Sequence, residues 1–147
     1  MKNFVVLLFL IVLSGCAKEP EVIYNDYDGG SPTLNISGFY KRGDRMDYFL
    51  KEGEGEFVFL TTIESFFLGT NVDIKTPIKA GNKVIVAASS SKKINGVLRL
   101  DGRCFEFIPN EKKEYNLNRF DLTEVSTGDV PSSFKILDFR DCRIPLK

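Results

Sequence analysis

The chain has 147 residues, with 20 Lys and Arg balancing 20 Asp and Glu, thirteen Phe, five Tyr, and neither His nor Trp. Zero formal net charge gives no global attraction to nucleic acid or to an anionic surface. The absence of His removes the commonest general acid–base and zinc ligand, and excludes Ser-His-Asp and Cys-His catalysis within this chain.

The first element is Lys2 followed by an unbroken apolar run, Phe4 to Leu13 (FVVLLFLIVL). A bilayer-spanning helix needs about 20 apolar residues, so this run is too short to cross comfortably. A charged start, a short apolar core and the small residues Ser14 and Gly15 describe a secretory signal peptide over residues 1–15. Leu13-Ser14-Gly15-Cys16 resembles the lipobox of bacterial lipoproteins. That resemblance implies cleavage before Cys16, a diacylglycerol thioether on its sulfur and acylation of the new amine. Several acyl chains hold stably, each buried CH₂ contributing about 0.8 kcal/mol. Ala17 replaces the Asp that retains enteric lipoproteins at the inner membrane, which implies the outer membrane and its periplasmic face. The partners expected are the membrane, through lipid on Cys16, and an envelope protein. No nucleic acid, cofactor or metal is expected.

Residues 16–33 hold the lipidated Cys and a tether, AKEPEVIYNDYDGGSP, in which Pro, Gly, Asn and Asp break any period. As a coil of roughly sixteen residues it spans about 20 to 25 Å. Residues 34–147 are left as one domain. Of the three cysteines, assigning Cys16 to lipid leaves Cys104 and Cys142, and export makes their disulfide the expected state.

Within the domain, Leu34, Ile36 and Phe39-Tyr40 form the first strand, ending at Lys41-Arg42-Gly43-Asp44. Met46 to Leu50 and Phe57 to Thr62 flank Glu52-Gly53-Glu54-Gly55-Glu56, a hairpin by its glycines and charges. Ile63 to Leu68 carries Phe66-Phe67-Leu68, expected to be buried. Val72, Ile74 and Ile78 alternate with polar residues, and Val84 to Ala88 reads as a central strand buried on both faces. Ser89 to Gly96 (SSSKKING) reads as a polar loop, with Lys92 and Lys93 as candidate contact residues. Val97, Leu98 and Leu100 resume the strands, and Gly102 marks a bulge or turn before Cys104 to Ile108. After the turn Pro109 to Glu114 come Tyr115, Leu117, Phe120 and Leu122, a loop at Ser126 to Ser133, and a last strand, Phe134 to Phe139. About eight short strands at turn spacing predict an all-β fold, a small antiparallel β-sandwich with one disulfide.

Ile78-Lys79-Ala80-Gly81-Asn82-Lys83-Val84-Ile85-Val86 resembles the turn and strand of PEGA-like domains. Cys104-Phe105-Glu106-Phe107 and the return from Glu111 to Tyr115 extend that likeness. It implies a transthyretin-like or immunoglobulin-like sandwich, usually a non-enzymatic surface or periplasmic module.

The function expected is therefore a lipid-anchored binding or scaffolding module, not an enzyme. The alternatives are an inhibitor or exclusion protein acting through the Lys92-Lys93 loop, and an assembly lipoprotein like those of type VI secretion. A carboxylate-based glycan hydrolase would draw on Glu52, Glu54, Glu56, Asp44 and Asp47. It needs two carboxyl groups held about 5 to 9.5 Å apart, and glycine-rich turns hold nothing so rigidly.

Overall fold

A computed structural model describes residues 30–65 and 69–145. The lipobox, Cys16 and Phe66-Phe67-Leu68 lie outside the described residues. The described residues form nine strands: β1 (Thr33–Tyr40), β2 (Arg45–Glu52), β3 (Val58–Glu64), β4 (Thr70–Pro77), β5 (Val84–Ile94), β6 (Val97–Phe107), β7 (Glu114–Asn118), β8 (Asp121–Glu124) and β9 (Lys135–Leu137). They make a four-stranded sheet, β4-β1-β7-β8, and a five-stranded sheet, β3-β2-β5-β6-β9. The fold is the expected all-β sandwich. Pairing is antiparallel except between β1 and β7, which run parallel from Thr33 beside Glu114 to Ile36 beside Leu117.

The period of two decides what enters the core. Leu34, Ile36 and Tyr40 of β1 and Tyr115 and Leu117 of β7 meet Met46, Tyr48 and Leu50 of β2, Val84, Val86 and Ala88 of β5, and Phe105 and Phe107 of β6. The outward residues of the four-stranded sheet are mostly polar, Phe39 being the exception: the Asn35 amide donates to Glu114 (3.4 Å) and the Ser37 hydroxyl to Asn116 (2.5 Å). Gly38 has φ +133, and a Cβ there would meet the Asn118 side chain at 2.5 Å. A side chain at residue 38 would therefore displace that amide.

One polar contact lies inside the core. The Tyr40 and Tyr48 hydroxyls are 2.7 Å apart, and both rings are fully buried. Burial is the main cause raising both hydroxyls above the ordinary tyrosine range, Tyr48 the more strongly. The Arg119 guanidinium lies 5.4 Å from the Tyr40 ring centre and pairs with Asp44, so the β1–β2 and β7–β8 turns are tied over this end of the core.

That end is one of two poles. At the other, Ile78 N–H donates to Pro32, Lys112 N–H to Gly30 and Gly81 N–H to Pro109, so the chain enters β1 beside the β4–β5 and β6–β7 turns. β5 starts at this pole and runs 11 residues, a rise of about 36 Å.

Several segments depart from the sequence reading: Tyr115 to Leu122 is split between β7 and β8, and the last strand is Lys135–Leu137 rather than Phe134 to Phe139. Ser89 to Ile94 is strand, not loop, and the turn is only Asn95-Gly96. Gly102 pairs in register opposite Ser89 without a bulge. β2 accompanies β5 only as far as Ser90, so Ser91–Ile94 and Val97–Leu100 project beyond the sheet as a two-stranded arm of about 13 Å. Lys92 pairs with Arg99 and Lys93 with Leu98 on this arm.

Candidate functional site

The outer face of the five-stranded sheet differs from the polar face opposite. Phe49, Ala87 and Cys104 form a second apolar cluster there, with Cys142 above them. After β9 the chain turns at Asp138 to Asp141 and crosses this face, and the Cys104–Cys142 disulfide closes it down. Phe139, Leu137 and Ile144 pack against the same cluster. A Cβ on Gly102 would lie 2.3 Å from the Phe139 ring, so the missing side chain is what lets that ring lie flat on β6. Residues 138–145 form a strap, and the predicted disulfide is its fastening.

Beside the strap lies a trough of about 650 Å³. Its floor is Phe49 of β2, Ser89 and Ser91 of β5, and Leu98 and Leu100 of β6; Phe57, Phe59 and Thr62 wall one side and Pro145 of the strap closes part of the rim. A β-bulge builds the wall. Tyr48 pairs with Thr61, but Phe49 pairs with Phe59, so Leu60 is the extra residue. Leu60 thereby packs toward the core, and Phe59 is turned outward. Phe59 meets Phe49 edge-on, with ring centres 5.6 Å apart. Phe59, Leu98 and Leu100 stay 46%, 62% and 52% exposed, an apolar surface of the kind that marks contact sites.

Charge is confined to one end of the trough. Arg45 lies 3.7 Å from Asp47 and 3.8 Å from Glu64, and the Thr62 hydroxyl donates to Asp47 at 2.5 Å. The guanidinium is thus neutralised in place. A smaller hollow of about 460 Å³ lies on another side of the strap, lined by Lys51, Glu56, Phe57, Asp141 and Arg143. The trough can take an apolar side chain or a flat ring; its middle offers only hydroxyls for hydrogen bonding.

The five carboxylates considered for glycan cleavage are dispersed. Asp44 precedes β2 and Glu52 ends it, about 25 Å apart by strand rise. Asp44 is held by Arg119 and by the Lys41 N–H, and Glu52 accepts the Lys79 N–H at 2.8 Å. Glu54 is 94% exposed beside Lys83, Glu56 lines the small hollow, and Asp47 stands in the trough. Among the described residues no group of Asp, Glu, His or Cys is placed to hold a metal, and no helix is long and apolar enough to cross a membrane.

Lys92 and Lys93, expected in a polar loop, lie on β5, and Phe49, Phe59, Leu98 and Leu100 were not expected as a site. The outward turn of Phe59 depends on the bulge, which no local signal announces. Comparison with protein-family models, with curated proteins and with solved structures finds no match for this chain. The trough, the strap and the arm carry the functional reading by themselves.

Proposed function

We propose that this chain is a lipid-anchored envelope lipoprotein acting as a non-enzymatic binding module, with its partner seated in the trough beside the strap. The observation that carries the reading is the apolar trough of Phe49, Phe59, Leu98 and Leu100, the last three exposed, on a sandwich whose opposite face is mostly polar. The lipobox supplies the location. Cys16 stands sixteen positions before Pro32, so a leash of about 20 to 25 Å keeps the trough near the bilayer.

Two measurements test it. Radiolabelled palmitate should enter the full chain and be lost in Cys16→Ser. A photocrosslinker at Phe59 should give a discrete adduct that Phe49→Asp abolishes, while the same probe at Asp73 on the opposite face gives none. Equal labelling from both faces would overturn the trough as the contact surface, and labelled Cys16→Ser would overturn the anchor.

A second reading, an inhibitor or exclusion protein, rests on the arm that carries Lys92 and Lys93. It predicts that Lys92→Ala with Lys93→Ala loses the partner while Phe49→Asp keeps it. The module reading predicts the reverse.

A further inference from the structure

The arm leaves a strand edge open. Among the described residues, β6 is paired on its outer side only from Cys104 to Glu106, by the three residues of β9. Asn95 and Gly96 both have positive φ, 51° and 81°, as a two-residue type I′ turn requires. Such a turn makes Ile94 and Val97 a hydrogen-bonded pair, and the alternation along an antiparallel ladder follows from it. Val97, Arg99, Asp101 and Arg103 therefore spend their backbone groups on β5. Leu98, Leu100 and Gly102 direct theirs to the open edge.

Open edges with apolar side chains are templates for another strand, and this one is self-complementary. We propose that two copies of the chain pair antiparallel through β6, about a two-fold axis beside Leu100, over Leu98–Gly102. Leu100 then faces the second copy's Leu100, and Leu98 faces the second copy's Gly102, next to the ring of Phe139 that covers that glycine. Arg99 faces the second copy's Asp101, and Asp101 faces its Arg99. Both are exposed, and within one copy Arg99 stands directly across from Lys92, an unfavourable like-charge pair. The two-fold supplies each Arg99 with the opposite charge it lacks there. Shifting the axis to Arg99 would instead set the two Arg99 residues against each other, so charge selects the register.

The pairing does not require an occupied trough. It extends the five-stranded sheet into the neighbouring copy and joins the two troughs side by side, since Leu98 and Leu100 belong to both features.

The test uses the full chain in detergent. Sedimentation velocity should report a dimer. Single charge reversal, Arg99→Asp or Asp101→Arg, should weaken it roughly tenfold, two cross-strand pairs being changed at once, and the double reversal should restore it. Arg99→Asp also relieves the repulsion from Lys92, so loss of dimer in that variant cannot come from a disordered arm. Register is read by oxidative crosslinking. Leu100→Cys should form an intermolecular disulfide, its Cα atoms lying about 5.5 Å apart. Val97→Cys, about 20 Å from its counterpart, should not. A monomer at all concentrations, a dimer indifferent to both reversals, or crosslinking at Val97 rather than Leu100 overturns the proposal. So does a monomer whose binding to anionic vesicles is lost with Arg99→Asp, which would make the arm a membrane contact.

Discussion

Replacing both Cys104 and Cys142 by Ala asks whether the strap is merely laid on the sheet or stabilises the whole sandwich. The bond joins residues 38 apart in sequence, and the loop it closes contains β7, β8 and β9. Constraining a loop of that length in the unfolded chain is worth about 4 kcal/mol. A folded unit of roughly 115 residues has an unfolding entropy near 0.24 kcal/mol/K, so the loss converts to a fall in Tm of about 15 °C. Peeling of the strap adds to this, because Phe49 and Ala87 would lose the cover of Phe139 and Cys142. The assay is thermal melting of the full chain by far-UV circular dichroism, with hydrogen exchange over residues 138–145 alongside. A fall of under about 4 °C together with full exchange of the strap would refute the reasoning. It would mean that the strap opens locally and the bond leaves the global transition untouched.

Three further outcomes are expected. Tyr40 and Tyr48 are both raised above the ordinary value of 10 by burial. Above pH 10 the unfolded chain ionises first, so stability falls as pH rises, by up to about 1.4 kcal/mol per pH unit for a tyrosine that stays neutral in the fold, as Tyr48 does. Tyr48→Phe should remove one such increment from the alkaline slope in urea titrations, and an unchanged slope would contradict the burial. Asp44→Ala frees Arg119 and the Lys41 N–H and should cost about 1 to 2 kcal/mol in urea denaturation. Gly102→Ala should drive the Phe139 ring off β6, at about 1 to 3 kcal/mol, with faster exchange in residues 138–145 and unchanged exchange in β2 and β5.

The all-β class, the Glu52–Glu56 hairpin and the Cys104–Cys142 bond were legible because each leaves a local mark: alternation, glycines between charges, or one leftover pair of thiols. Val84 to Ala88 was legible for the same reason, since Val84, Val86 and Ala88 enter one core while Ala87 is buried beneath the strap. Ser89 to Lys93 was not. Its residues are Ser and Lys, with Ser89 and Ser91 facing the trough, so no apolar alternation marks the strand and it reads like a loop. Asn95-Gly96 was the signal available, the strongest short hairpin cue a sequence carries. The β7–β8 turn is built on Arg119, at φ 55, followed by Phe120. With no glycine to punctuate it, Tyr115 to Leu122 looked like one stretch. The parallel match of β1 with β7 joins residues some eighty positions apart, beyond the reach of any local pattern. The trough depends on such tertiary facts throughout, above all on the extra residue at Leu60.

The position of β1 has a mechanical consequence. It is an inner strand of its sheet, matched along its full length by β4 and for four residues by β7, and the proposed lipid anchor would load it at its first residue. Tension between a lipid on Cys16 and anything gripped at the far pole would run along the strand axis. Force in that direction slides β1 past both neighbours, so its ladder hydrogen bonds share the strain and must fail together. Force across the strands would open them one at a time. A domain anchored at the start of an inner strand, as proposed, would be suited to hold while being pulled.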